Sequence, residues 1–424
     1  MRAAHGSRRR WSWAGALLLL AAALSWPGVA AAQEKVVKIG LALDFTRVYT
    51  FAIEEMHQGH RDYLELVNLR GGVNGWRFEP LVTDTGNEPQ RGIEAYERFK
   101  REGALIFDFV STPVSTAVLP RILEDQLVMV TPLTGRSDAT DGTTFPWVFP
   151  MMATYWSKAA VIVQYMLDEA GGDLSGQRVA LVHIDSPFGR EPIPVLQTLS
   201  QRLGYTFQTF PYPSPGTEQS AVWTQVRRFQ PDWILIWGAG PGQAVSLREA
   251  IRNGISMDKI ISVTWLAEKD MEAVGAAAAR GVRRFEPVVP GREPQVIQDI
   301  LNEVYGAGRG HGDPSNVGAT YYNIGVAMMA TVVEVVRKAT ADLDGPLTAA
   351  HIKAALETLT DFDAHGLMSP ITITPADHEG GGKGRIAQWD GQRWVPVTDW
   401  MSAFRDVVWE LVYAGAEEFR RTGQ

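Results

Sequence analysis

The sequence contains no cysteine among its 424 residues. This absence excludes disulfide bonds, thiolate nucleophiles and cysteine-ligated zinc or iron–sulfur sites. Basic residues are outnumbered as well, because 40 lysines and arginines face 48 aspartates and glutamates, and no dense basic tract follows residue 10. We therefore expect no nucleic-acid partner, since proteins that bind nucleic acid concentrate positive charge on one face.

Long apolar runs are also missing beyond the first 32 residues. The most apolar later stretch, residues 324–333, ends at Glu334 and is shorter than the roughly 18 to 20 residues that a membrane-spanning helix needs. The first 32 residues carry cations at Arg8–Arg10, an apolar segment over residues 14–24 and a small-residue cleavage site at Ala30–Ala32. This arrangement predicts a signal peptide and a periplasmic protein, with the Sec export route favoured and the twin-arginine route open.

Strand-like and helix-like segments alternate along the remaining chain, which is typical of α/β proteins with mainly parallel sheets. A first run of such units covers residues 36–131, and a second begins near Trp156. Residues 294–359 return to helical periodicity. Short strands are predicted over residues 370–374, 385–389 and 393–397. The pattern therefore predicts two α/β lobes followed by a mixed tail.

Three local motifs resemble catalytic or cofactor sites but lack the sequence context for them. His57 and His60 are three residues apart on a predicted helix, but a metal site needs further ligands, so a solvated helix face explains them more simply. Residues 238–242 are glycine-rich after a strand, yet the third glycine comes one residue too early for a dinucleotide fingerprint. His183 and Ser186 lie close in sequence, but no Gly-x-Ser-x-Gly elbow supports a hydrolase. We predict no metal, no cofactor and no catalytic site.

The junctions that follow the predicted strands share small, hydroxyl and aromatic residues. These junctions are residues 45–51, 111–113, 131–134, 186–189 and 238–243. In open α/β sheets, ligands bind at the carboxyl ends of the strands. Two such edges facing each other would form a cleft without an evident nucleophile, base or metal ligand set. This composition favours a binding protein over an enzyme.

The sequence resembles the periplasmic substrate-binding proteins of branched-chain amino-acid-type ABC transporters, which have the type I periplasmic-binding fold. The motifs that carry the resemblance follow in order over nearly the whole chain: Lys38–Gly40, Asn68 with Gly71–Gly75, Thr131-Pro132, Phe188-Gly189, Tyr321–Asn323 and Ser369–Thr372. The resemblance implies two doubly wound lobes joined by three crossovers, which close on a small solute and present it to a membrane permease. Lobe 1 would comprise residues 35–153 and 286–365, and lobe 2 residues 154–285 and 366–424. We expect a monomer.

The resemblance also implies which residues contact the ligand. The loop after the first strand commonly supplies an aromatic side chain, which points to Tyr49 or Phe51. The loop after the third strand supplies hydroxyls that hold a ligand carboxylate, and these match Ser111, Thr112 and Ser115. The remaining candidates are Thr131, Leu133 and Thr134 after the fourth strand, and Phe188, Gly240, Gln243 and Trp265 in lobe 2.

One departure from the family concerns the ammonium group of an amino-acid ligand. The family's amino-acid binders usually carry an acid in the loop after the third strand of lobe 2, but residues 238–245 contain none. A buried ammonium without a partner is unfavourable. We therefore expect an apolar or aromatic carboxylate rather than a standard amino acid, with Arg47 as a candidate partner for the carboxylate. Glu268, close to Trp265, could replace the missing acid.

Two other functions stay open at this point. One is a ligand-sensing protein on the same fold, which would signal to a receptor instead of a permease. The other is a secreted hydrolase that uses Ser186 or His183.

Overall fold

The structure, a computed structural model, describes Met1, Ala3 and residues 35–423. The signal peptide predicted over residues 1–32 therefore lies outside the described residues, apart from Met1 and Ala3. The chain divides into the units Met1–Lys35 and Val36–Gln424. Apart from Lys35, the first residue of the first strand, both sheets lie in the second unit.

The described residues form two sheets and the helices that flank them. The strands are β1 (Lys35–Leu43), β2 (Trp76–Asp84), β3 (Ile106–Asp108), β4 (Val128–Val130), β5 (Val148–Phe149), β6 (Arg178–Ile184), β7 (Thr206–Tyr212), β8 (Trp233–Trp237), β9 (Ile260–Ser262), β10 (Arg283–Glu286), β11 (Arg385–Trp389) and β12 (Trp394–Pro396). The helices are α1 (Thr50–Leu69), α2 (Pro89–Arg101), α3 (Thr112–Asp125), α4 (Tyr155–Glu169), α5 (Pro187–Arg190), α6 (Ile193–Leu203), α7 (Ser220–Phe229), α8 (Pro241–Arg252), α9 (Glu268–Val274), α10 (Gln295–Asp299), α11 (Thr320–Ala339), α12 (Ala349–Leu356) and α13 (Arg405–Thr422). A π-helical segment, Ile300–Tyr305, continues α10.

The first sheet has the strand order β2-β1-β3-β4-β5. β3 pairs in parallel with β1 and β4, and β4 pairs in parallel with β5. Neighbouring residues of a strand point to opposite faces, and accordingly Ile106 packs in the core that includes α1 and α11, whereas Phe107 packs with α2 and α3. Helices thus cover both faces, as a parallel sheet requires.

The second sheet has the strand order β12-β11-β10-β9-β8-β6-β7. Strands β6 to β10 pair in parallel, and β11 and β12 add antiparallel strands beyond β10. The apolar strand β8 lies inside the sheet, and its residues from Ile234 onward are fully buried. The predicted α/β fold class with two mainly parallel sheets is confirmed.

The chain passes between the sheets three times: after β5, after β10 and before β11. Between the last two passages, α11 packs along α1, and α12 contacts β4. The two long helices approach so closely that a side chain at Gly59 would collide with the carbonyl oxygen of Tyr322, and one at Gly325 with that of Met56. The exact lobe boundaries stay a prediction.

Two local predictions differ from the structure. Residues 370–374 do not form a strand, because the backbone amides of Thr372 and Ile373 bond to the carbonyl groups of Gly380 and Leu359. Strand β10 was not predicted, since its two arginines and one glutamate are typical of a loop. Arg284 is nevertheless fully buried, where it donates to the Leu266 carbonyl at 2.8 Å. Among the described residues, no helix combines the length and the apolarity needed to cross a membrane.

Candidate ligand-binding site

Asp44 organises the loop that follows β1. Its carboxylate accepts hydrogen bonds from the backbone amides of Arg47 at 2.9 Å, Val48 at 2.7 Å and Tyr49 at 3.0 Å. A carboxylate that satisfies three amide donors fixes the local backbone, and here it sets the start of α1. Tyr49 and Phe51 are thereby directed toward the second sheet.

Four aromatic rings meet where the carboxyl edges of the two sheets come together. We call Tyr49, Phe51, Trp265 and Tyr321 the aromatic cluster. Neighbouring ring centroids lie 5.7 to 6.3 Å apart in tilted or edge-on geometry, the arrangement that ring quadrupoles favour. The rings come from the β1–α1 junction, the loop after β9 and α11, so the cluster joins both sheets.

Tyr155, at the start of α4, extends this cluster into a hydrogen-bonded chain. Trp265 Nε1 donates to the Tyr155 hydroxyl at 2.9 Å, and that hydroxyl donates to the carbonyl oxygen of Leu133 at 2.6 Å. The Tyr155 ring lies edge-on to Phe188 at 5.1 Å and to Trp237 at 5.8 Å. Leu133, Phe188 and Trp265 are three of the residues predicted from sequence, and Tyr155 connects them.

The glycine-rich segment after β8 contacts the cluster instead of forming a dinucleotide site. Gly240 has φ +60° before α8, a conformation that favours glycine. A Cβ atom there would lie 3.1 Å from the Phe51 ring. Gln243 is fully buried and donates through Nε2 to Ser262 Oγ at 3.1 Å, while its Oε1 has no hydrogen-bond partner among the described residues.

The predicted hydroxyl residues of the first sheet fall into two groups. Ser111 and Thr112 are engaged in the fold, because Ser111 Oγ accepts from Val114 N and donates to Asn87 Oδ1, and Thr112 Oγ1 accepts from Gly135 N at 2.9 Å. Ser115 Oγ is buried and has no partner in the described part of the chain. Ser115 and Thr131 line a cavity of about 10 Å³. The hydroxyl of Thr134, also buried, donates to the nearby Pro132 carbonyl at 3.4 Å.

Glu268, the candidate acid, already has a protein partner. Its Oε1 accepts from Thr320 Oγ1 at 2.7 Å and lies 4.0 Å from Arg284 Nη2, and one third of its side chain is exposed. Two further carboxyl groups lie nearby. Asp270 caps α9 by accepting from Ala267 N, and burial raises the pKa of Asp270 to about 7. Glu55 pairs with Lys269.

The Arg47 guanidinium already has a protein partner. The guanidinium pairs with Glu88 at 2.7 Å, and 59% of the Arg47 side chain is exposed. The role of Arg47 toward a ligand carboxylate stays a prediction.

The two residues of the alternative hydrolase site have structural partners. Ser186 Oγ accepts from Gly189 N at 3.2 Å as the cap of α5, and His183 Nδ1 bonds to the Ile184 carbonyl at 3.0 Å. His60 is fully buried, so the expectation of a solvated helix face is wrong for this residue. Within the described residues, no group of three or more histidines, aspartates and glutamates is arranged to hold a metal ion.

Sequence reasoning missed Tyr155, Trp237 and Tyr321 as parts of the site. Tyr321 belongs to a motif that carried the family resemblance, which was a usable signal. Tyr155 and Trp237 carried none, because a tyrosine at a helix start and a tryptophan ending an apolar strand are typical of cores. Tyr321 is buried with its hydroxyl unpartnered among the described residues, and burial raises the pKa of that hydroxyl well above its ordinary value.

A family model described as "Periplasmic binding protein" matches residues 36–393. The chain belongs to this family. A solved structure from the Pseudomonas fluorescens group, described as an ABC transporter permease, aligns to this periplasmic binding protein with a TM-score of 0.83 and 32% identity, covering 91% of this chain and 97% of the other.

Two more distant structures share the fold. A branched-chain amino acid ABC transporter from Thermus thermophilus with bound valine aligns with a TM-score of 0.78 and 20% identity, covering 90% of this chain and 99% of the other. A fatty acid ABC transporter substrate-binding protein from Thermomonospora curvata aligns with a TM-score of 0.73 and 21% identity, covering 89% and 94% of the two chains. The type I periplasmic-binding fold is therefore confirmed. The family and these neighbours are substrate-binding transport proteins rather than enzymes.

Proposed function

We propose that the protein is an exported solute receptor that closes on a small carboxylate with an apolar or aromatic body and delivers it to an ABC-importer permease. The observation that supports this proposal most is the aromatic cluster, because it unites three predicted ligand residues from both sheets at one place. Aromatic rings offer a large apolar contact area. Such a site suits a ligand with a hydrocarbon or aryl body.

Two polar groups among the predicted ligand residues favour a carboxylate over an amino acid. Ser115 Oγ is a buried hydroxyl without a partner among the described residues, and it is free to donate to an anion. Glu268 is the acid closest to the role of an ammonium partner, but Thr320 and Arg284 already compensate its charge. A ligand ammonium would have to displace these contacts, whereas a ligand without one leaves them intact.

The solved relatives show that this fold accommodates both kinds of apolar ligand. One neighbour holds valine and another is described as a fatty acid receptor. Both kinds of ligand have an apolar body and a carboxylate, and they differ in the α-ammonium group. This group therefore distinguishes the two ligand classes for the present protein. We propose that the deaminated acid, not the amino acid, is bound.

Calorimetric titration with matched pairs tests this proposal. The pairs are leucine with 4-methylpentanoate and phenylalanine with 3-phenylpropanoate, which differ only in the α-ammonium group. We expect at least one acid to bind at least ten times more tightly than its amino acid, and Trp265→Ala to abolish binding. Tight binding of leucine that is lost in Glu268→Ala would refute the ligand class, since Glu268 would then hold the ammonium.

A sensory role on the same fold is the alternative to transport. Uptake of the bound acid by vesicles that contain the cognate permease and ATPases would support delivery. Binding without stimulation of uptake would favour the sensor. We further propose that the protein acts as a monomer in the periplasm after export, with the Sec route favoured.

A further inference from the structure

Two side chains from elements that pack on the second sheet form hydrogen bonds with the loop after β4, residues 131–137. We infer that Tyr155 and Glu191 form a latch that holds this loop when the two lobes are closed and thereby sets how long a ligand stays bound. Both are positioning residues. The inference rests on the proposed receptor function, and it names residues outside the predicted ligand contacts.

Glu191 makes the first half of the latch. Its Oε1 accepts three hydrogen bonds from the loop: from Arg136 N at 2.8 Å, Ser137 N at 2.8 Å and Ser137 Oγ at 2.9 Å. Glu191 follows α5, which packs against β6 of the second sheet. Its own backbone is fixed, because Trp156 Nε1 donates to the Glu191 carbonyl at 2.8 Å. A charged acceptor with three donors is a strong contact.

Tyr155 makes the second half. Its hydroxyl donates to the Leu133 carbonyl at 2.6 Å, and its ring is fully buried between Phe188 and Trp237. Leu133 has φ +61°, a left-handed conformation that is unfavourable for a residue with a side chain. Such a conformation persists only where surrounding contacts impose it. The bond from Tyr155 is one contact that holds the Leu133 carbonyl in this orientation.

The latched loop is also a predicted ligand-binding loop. It carries Thr131 and Thr134, and Gly135 N donates to Thr112 Oγ1 within the first sheet's own elements. The first sheet therefore supports the loop from one side, and Tyr155 and Glu191 hold it from the other. Separation of the lobes would break the second set of contacts, together with those that α13 makes to Arg136 and to residues 137–140. The latch thus favours the closed state. If the fraction of closed protein falls by a given factor, the apparent affinity for the ligand falls by that factor.

The test uses Glu191→Gln and Tyr155→Phe, each of which preserves side-chain shape. We expect each to raise koff for the tightest-binding probe acid, 4-methylpentanoate or 3-phenylpropanoate, about tenfold, because Tyr155→Phe removes one buried hydrogen bond and Glu191→Gln removes the charge from an acceptor of three. The rate constant kon should change less than twofold, since the latch forms after encounter. Asp185→Asn is the matched control, because Asp185 is an exposed acid on the same segment that pairs with Arg190, and it should leave koff unchanged.

A second readout measures closure without ligand. Because the chain has no cysteine, Glu124→Cys on α3 and Gln225→Cys on α7 place two dyes on exposed positions on opposite sides of the cleft. The latch variants should shift the transfer efficiency toward an open state, whereas Asp185→Asn should not. Wild-type koff and wild-type transfer efficiency in both latch variants would overturn the inference. If the wild type binds no probe acid, the proposed ligand class fails, and the dye measurement alone decides the latch.

Discussion

Lys158 on α4 provides a quantitative prediction about the stability of the protein. The residue is fully buried, and its Nζ has no hydrogen-bond partner among the described residues. Nζ lies 4.6 Å from the centre of the Tyr155 ring and 5.7 Å from that of Phe285. The carboxylate of Glu379 acts on Lys158 from a distance while it accepts from Thr154 N and Arg405 Nη1. Burial therefore dominates and lowers the pKa of Lys158 to about 7.

The sign of the pH dependence follows from this lowered pKa. The unfolded chain keeps the proton up to pH 10.5, whereas the folded protein releases it above about pH 7. Below pH 7 the folded state therefore carries the full cost of a buried charge, and this cost declines as the pH rises from 7 to 10.5. The difference in pKa corresponds to about 5 kcal/mol. The contact with the Tyr155 ring offsets about 1 to 2 kcal/mol.

We predict that Lys158→Met raises the free energy of unfolding by about 3 kcal/mol at pH 6 and by about 2 kcal/mol at pH 9, where the folded lysine is neutral and the ring contact no longer offsets a charge. Denaturant titration of the variant and the wild type at both values measures the two gains. Lys383→Met at an exposed position is the control and should change neither. A gain that is the same at both pH values, or a loss at pH 6, would refute the reasoning, because it would mean that the Lys158 charge is compensated within the fold.

Three further predictions address the sheet edge, the helix contact and the ligand. Asp108 is fully buried and burial raises its pKa to about 7. Its carboxylate therefore destabilises the fold progressively from about pH 4 to 7, so Asp108→Asn should stabilise by about 4 kcal/mol at pH 8 and hardly at all at pH 4 in denaturant titrations. A gain that does not depend on pH would contradict this. Gly325→Val should lower the free energy of unfolding by about 3 kcal/mol, since the side chain collides with the Met56 carbonyl, and a wild-type denaturation midpoint would contradict the close helix contact. Ser115→Ala should leave stability unchanged, because the hydroxyl has no partner among the described residues, but weaken binding of the probe acid about tenfold in calorimetry; unchanged affinity would remove Ser115 from the site.

The local pattern of the sequence was sufficient to predict most of the fold. The apolar strand Trp233–Trp237 and the alternation around it predicted a buried parallel sheet, because strand burial leaves a direct mark on composition. Strand β10 left no such mark. Its Arg284 is buried because Leu266 and Thr320, which are 18 and 36 positions away, supply partners in addition to the neighbouring Glu286.

The candidate site was predictable only in part, for a similar reason. Tyr49, Phe51 and Trp265 could be predicted from the sequence, because ligand residues follow strands at fixed places in the fold. Tyr155 was not, since its role depends on hydrogen bonds to Leu133 and Trp265 that span the two sheets. The state of Glu268 also required the structure, because its partner Thr320 lies 52 positions away in the chain.

Native mass spectrometry in a competition experiment tests the central claim most directly. The mature protein is incubated with leucine, 4-methylpentanoate, phenylalanine and 3-phenylpropanoate at equal concentrations, and the mass of the bound molecule is read from the complex. We predict one bound acid for each protein molecule and no bound amino acid. A complex with leucine or phenylalanine, or no complex with either acid, would contradict it.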